Sequence, residues 1–272
     1  MIRLFLLCCC LLLTACQGNV PKKAANSINV GVITGSDAQL LQVVQNVALE
    51  KYDLQIQIIE FNQYGEVNQA LMDRKLDANI FQHQPYLIAW NAAHNGNLIP
   101  IARTFIFPMG IYSYKHNWLK EIGKNNVIAI PDDPTNQARA LMLLQTAGLI
   151  TLRPGADVLA TSADIASNPL NLKIISDKAY KLPSLLPQVD AAVINNIYAL
   201  KAGLEPFVRN DLTTFTDAIY TESGSSLYAN VIVIRPDERN DTRVADLVRA
   251  FQSSQVLAAA QSIYKGSAVR AW

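Results

Sequence analysis

Residues 28–61 read INVGVITGSDAQLLQVVQNVALEKYDLQIQIIEF, and their periodicity changes twice. INVGVIT is a β-branched apolar run of strand type. GSD breaks it with a tight turn and offers Ser36 and Asp37 as helix-cap candidates. In AQLLQVVQNVALEKY, Leu40, Val43 or Val44, Val47 and Ala48 recur at helical spacing. LQIQIIEF then alternates like a strand. Strand, helix, strand predicts a parallel pair joined by a right-handed crossover.

The pattern repeats downstream. In NVIAIPDDPTNQARALMLLQTAGLI (126–150), a short strand over 127–130 meets Pro134 near a helix start. Asp133 or Thr135 is the cap candidate, and Gly148 a C-terminal stop. VDAAVIN followed by NIYALKAGL makes a third strand-to-helix passage. LYANVIVIRPD is a late strand, and two helices are expected over 241–253 and 255–264. Two α/β units of similar size with no Gly/Ser linker predict two lobes joined by crossing strands. RTFIFPMGIYSYK (103–115) and SSLYANVIVIR (225–235) are the expected crossings. Lobe one is assigned to 28–108 plus 230–272, and lobe two to 109–229.

The chain has 272 residues, half of them hydrophobic, with a formal net charge of +1. That suffices for a large core and two modest domains. It gives no reason to expect nucleic acid as a partner.

The N-terminus differs. Arg3 precedes an apolar run over 4–13, whose roughly ten residues are too few for a bilayer that needs about 20. A cation, an apolar middle and small residues before a cut site describe a signal peptide over 1–15. LTAC (13–16) resembles a bacterial lipobox, which makes Cys16 the lipidated first residue of the mature chain. All four cysteines (Cys8, Cys9, Cys10 and Cys16) lie here, so the mature protein is expected to have no disulfide or thiolate metal site. Residues 17–27, QGNVPKKAANS, read as a flexible stalk.

Catalytic patterns are missing: no G-x-S-x-G, H-E-x-x-H, P-loop or C-x-x-C occurs. His83, His94 and His116 are not at metal-ligand spacing, so neither an enzyme nor a metal or cofactor site is expected. Asp132 and Asp133 precede a helix start, where acidic residues serve capping and dipole compensation.

The candidate residues suit binding better. DANIFQHQPYL (77–87) reads as an extended segment ending where a helix begins, with Phe81 and His83 on one face and Pro85 suited to the first helical turn. Open α/β proteins keep ligands at such strand ends. The stretch is either core filler or pocket wall formed by Phe81, His83 and Tyr86. Asn136 and Arg139, three apart, share a helix face. An arginine in a first helical turn opposes the dipole unless an anion joins it. It is therefore solvated, bridged to Asp132 or Asp133, or waiting for a ligand carboxylate. Asn195 ends the strand AAVIN and Asn230 interrupts LYANVIVI, each as a satisfied buried amide or a ligand partner. Tyr64 falls at a strand tip, as packing or as pocket wall.

Six motifs carry a resemblance: DANIFQHQPYL, AIPDDPTNQARALMLLQTAGLI, NPLNLKII, AAVIN, YANVIV and GSAVRAW. From residue 28 to the C-terminus the chain resembles the NlpA lipoprotein family, whose best-known members bind methionine for ABC importers. The resemblance implies an α/β, two-lobed periplasmic binding protein fold. It implies a monomer, tethered to membrane through Cys16 in the cell envelope, that captures L-methionine and delivers it to an ABC permease and its ATPase. It places Tyr64, Phe81, His83, Tyr86, Asn136, Arg139, Asn195 and Asn230 in the ligand pocket. Arg139 with Asn136 would take the carboxylate, Asn195 or Asn230 the ammonium, and the aromatic residues the thioether. Asp132 stands where the family usually has Asn, adding a negative charge near the carboxylate site. The alternatives are another small amino acid or short peptide in the same pocket, or a surface lipoprotein that binds envelope or host partners.

Overall fold

The computed structural model describes residues 26–208, 217–224 and 226–272. The signal peptide, Cys16 and nearly all the stalk lie outside the described residues.

The chain opens with β1 (Ser27–Ile33), α1 (Ser36–Tyr52) and β2 (Gln55–Phe61). β1 and β2 pair in parallel from Ser27–Gln55 to Ile33–Phe61. Leu40, Leu41, Val44, Val47 and Ala48 of α1 are buried, so Val44 rather than Val43 occupies the core position. Neither Ser36 nor Asp37 caps this helix. Gly35 takes the N-cap position at φ 115°, a backbone state that suits glycine, and no side chain bonds there. Both residues instead enter the first turn, which frees the Asp37 carboxylate for another partner.

Next come α2 (Val67–Met72), β3 (Ala78–His83), α3 (Gln84–His94) and β4 (Ile99–Ile106). The chain continues through β5 (Gly110–Tyr112), β6 (Val127–Pro131), α4 (Pro134–Thr146) and β7 (Lys173–Asp177). After α5 (Leu182–Leu185) come β8 (Ala191–Ile194), α6 (Asn196–Lys201) and β9 (Tyr220–Thr221). β10 (Ala229–Ile234), α7 (Thr242–Phe251), α8 (Ser254–Ile263) and β11 (Val269–Arg270) complete the main elements.

These strands form two sheets, ordered β11-β4-β10-β3-β1-β2 and β9-β5-β8-β6-β7. The chain passes from the first to the second between Ile106 and Gly110, and returns between Thr221 and Ala229. Three buried clusters follow. One packs α1, α7 and α8 on the first sheet; another packs Leu141 and Leu144 of α4 against Ile128, Ile130 and Val193. The third joins the sheets, with Ile33, Phe81 and Leu87 from one side and Tyr112, Ile194 and Tyr198 from the other.

Candidate functional site

Residue 83 ends β3 and caps the next helix. His83 Nδ1 accepts from Tyr86 N at 3.1 Å, and Pro85 sits in the first turn of α3. That fixes the tautomer: Nδ1 is an acceptor, so the ring proton is on Nε2, which donates to Asn136 Oδ1 at 3.2 Å. Burial, then the charge of Arg139, lowers the His83 pKa to about 3, so the ring is neutral at ordinary pH.

β3 is less regular than its sequence suggests. Val231 pairs with Gln82 and Ile232 with Ile80, so Phe81 has no partner across the ladder. Such a bulge breaks simple alternation. Gln82 and Asn79 consequently bond to each other and to Asn68, in a buried amide cluster. Alternation would have put Gln82 on the face opposite Asn79.

Tyr64, in a single 3-10 turn after β2, packs beside Phe81 at 5.7 Å and Tyr86 at 5.9 Å between ring centroids. Such pairs add about 0.5–1.5 kcal/mol beyond their burial. Tyr198 continues this aromatic wall at 5.0 Å from Tyr64, and Tyr228 meets His83 at 5.2 Å.

The opposite wall is polar. Asp133 caps α4 by accepting from Asn136 N at 3.0 Å, and it also binds Asn136 Nδ2. Asn136 Oδ1 therefore faces outward and accepts from both His83 and Asn195 Nδ2, the latter at 2.9 Å. Asn195 Oδ1 is buried and has no partner among the described residues. Asn230, paired with His83 in the sheet, donates to Phe81 O at 3.2 Å.

Arg139 is only 4 % exposed, yet it is neither solvated nor bridged to Asp132 or Asp133. Its Nε and Nη2 donate to the Glu222 carboxylate, with the closest contact 2.5 Å. Nη2 also donates to Phe107 O, and the guanidinium lies 4.4 Å from the Tyr228 ring centre. Phe107 belongs to one crossing segment, Glu222 and Tyr228 to the other, so the arginine is clamped where the chain passes between sheets. Nη1 makes no hydrogen bond among the described residues. Asp132 does not add an unbalanced charge, because Lys178 binds it at 2.7 Å.

All eight residues singled out in the sequence line one cavity. Phe107, Asn196, Ile197, Gln82 and Asp37 also line it and were not foreseen. Asn196 adjoins Asn195, and Tyr228 lies in the YANVIV motif; nothing in the sequence around Glu222 marks its role.

The NlpA lipoprotein family model matches residues 28–272. The chain belongs to the NlpA lipoprotein family. Within it, the D-methionine-binding lipoprotein MetQ of Salmonella typhi is 41% identical over 253 residues, covering 92% of this chain and 90% of that protein. A nutrient binding protein from Burkholderia cenocepacia, solved bound to methionine, is 44% identical with a TM-score of 0.85 and covers 90% of this chain and 100% of its own. An ABC transporter periplasmic substrate-binding protein from Coxiella burnetii is 43% identical with a TM-score of 0.84, covering 89% of this chain and 99% of its own. The fold is thus that of periplasmic substrate-binding proteins, as the sequence led one to expect. Among the described residues no helix is long and apolar enough to cross a membrane.

Proposed function

We propose that this NlpA-family lipoprotein is a binding protein that captures L-methionine in the cavity and hands it to an ABC permease and its ATPase. The observation that carries the reading is the pairing of two walls around one pocket. Tyr64, Phe81, His83 and Tyr86 offer aromatic surface, while Arg139 and the buried acceptor oxygen of Asn195, which has no partner among the described residues, share its polar lining.

In this reading Arg139 Nη1 takes the carboxylate, while Glu222 holds the guanidinium in place. Asn195 Oδ1 accepts from the ammonium, and Asn136 orients it. The thioether packs on the aromatic wall, where each sulfur–ring contact contributes about 0.3–1.5 kcal/mol. Burial of each methylene adds roughly 0.8 kcal/mol. A neutral His83 suits this role, since an imidazolium would repel Arg139 and attract anions to the wrong wall.

The two lobes are taken as 28–108 plus 230–272, and 109–229, closing as hinged bodies about the two crossings. Lipid on Cys16 tethers the protein, as a monomer, in the cell envelope. The test is calorimetric titration of the purified lipoprotein in detergent, refolded to remove co-purified ligand. L-methionine, D-methionine, leucine and glycine are compared. Tight L-methionine binding is expected, with a loss of tenfold or more, on the order of 1.5–3 kcal/mol, in Arg139→Gln. Binding of leucine or glycine in preference to either methionine isomer would overturn the ligand.

A further inference from the structure

An amino acid carries an ammonium as well as a carboxylate, and the acceptors for it extend beyond Asn195. Asp37, in the first turn of α1, lines the same cavity as Arg139. Together with Asn230 and Phe107 it also borders a smaller recess that contains Tyr264. A short path of contacts connects the two charges. Arg139 Nη2 donates to Phe107 O, and the Phe107 ring stacks on Tyr264 with centroids 4.3 Å apart. The Tyr264 hydroxyl in turn donates to Asp37 Oδ1 at 2.5 Å. Asp37 Oδ2 accepts from nothing among the described residues.

Asn196 lies on the same lining and is 2 % exposed. Its Nδ2 donates to Ser267 Oγ, which donates to Tyr264 O, so the C-terminal segment braces both acceptors. Asn196 Oδ1 is buried without a partner among the described residues. A carboxylate and an orphaned carbonyl oxygen on one cavity wall form a cation-accepting surface.

We infer that Asp37, assisted by the Asn196 side-chain carbonyl, accepts the α-ammonium of the bound amino acid while Arg139 holds its carboxylate. This inference rests on the amino-acid reading above. Among the described residues Tyr264 donates to Asp37, and Tyr64 and Tyr198 feel its charge as neutral phenols. Arg139 is neutralised by Glu222. Burial raises the Asp37 pKa to about 7, with the Tyr264 hydrogen bond holding it back in part. An arriving ammonium favours the ionised carboxylate. Binding near pH 7 therefore expels a proton from the fraction of molecules in which Asp37 is protonated.

The experiment titrates the lipoprotein with L-methionine and with 2-hydroxy-4-(methylthio)butanoate, which keeps the carboxylate and thioether but replaces the ammonium with a hydroxyl. Wild type should prefer methionine by about tenfold to a hundredfold, as expected for a charged hydrogen bond. Asp37→Asn, which can still accept from Tyr264, should lose most of that preference by weakening methionine alone. Proton release, read as a difference in apparent binding enthalpy between phosphate and Tris buffers at pH 7, should vanish in the variant. An unchanged preference in Asp37→Asn, or equal weakening of both ligands, would overturn the Asp37 role and leave the methionine reading standing. Failure of wild type to bind methionine at any pH would overturn both. Should the variant not fold, wild type alone decides: no preference for the ammonium and no proton release would overturn the assignment.

Discussion

The two walls of the cavity are built by different means. Three members of the aromatic wall, Phe81, His83 and Tyr86, come from one strand-to-helix passage, and Tyr64 joins them from the tip after β2. The polar wall draws Asn136 and Arg139 from α4, Asn195 from the end of β8, and Glu222 from a crossing segment. Apolar surface needs only shape and neighbours, so one local segment can supply it. A buried cation needs a counter-charge and hydrogen-bond acceptors, and here these come from residues 107 and 222. His83 Nε2 donates across the walls to Asn136 Oδ1, a bond that ties the first sheet to the helix that follows β6.

Glu222→Ala should have the largest effect on the polar wall. It leaves Arg139 buried with only Phe107 O and Tyr228 for company, and breaking such a pair costs about 3–5 kcal/mol. Chemical denaturation of the ligand-free protein should show that loss. Methionine should raise the melting temperature more in the variant than in wild type, because its carboxylate replaces the missing partner. A variant as stable as wild type would mean that the polar wall does not depend on Glu222.

Phe81→Ala probes the other wall. Truncating a core Phe costs about 3–5 kcal/mol, and the expected cost here lies near the lower end because Phe81 also borders the cavity. Methionine affinity should fall alongside stability. Full destabilisation with unchanged affinity would reduce Phe81 to core filler.

The smallest effect is on pH dependence. The unfolded His83 takes up a proton near pH 6.5, whereas the folded one resists until about 3. Stability is therefore lost as pH falls through this window, by up to about 1.4 kcal/mol per unit. Asp37 acts in the opposite sense: its folded pKa of about 7 exceeds the ordinary 3.8, so it costs stability as pH rises between those values. Between about pH 4 and 6.5 the two slopes offset each other, so His83→Gln should tilt urea titrations at pH 4, 5 and 6.5 toward greater stability in acid. An unchanged profile in the variant would assign the proton uptake elsewhere.

Spacing alone carried the placement of Asn136 and Arg139 on one helix face, and both reach the cavity. It could not supply Arg139's partner, because Glu222 lies 83 positions away and no periodicity links the two. The cap assigned to Ser36 or Asp37 failed for a similar reason. Propensity favours Ser and Asp at helix starts, but Gly35 already serves the turn, and Tyr264, 227 positions away, claims the Asp37 carboxylate. Asp133, whose target Asn136 N is three residues on, caps as the local rule predicts. The bulge at Phe81 was equally hidden, since it exists only in register with β10.

The strand–helix–strand units, the Asp133 cap and the aromatic segment around Phe81 were legible in the chain alone, because each follows from forces acting within a few residues; the return crossing, expected over 225–235, instead falls between Thr221 and Ala229. Family motifs, also a property of sequence, named the eight candidate residues. Tertiary structure decided what those residues touch: the Glu222 clamp on Arg139, the His83 tautomer, the orphaned oxygens of Asn195 and Asn196, and the place of Asp37 beside Tyr264. Those outcomes depend on which polar atoms find partners once water is excluded, and that is settled only when distant segments close around the same space.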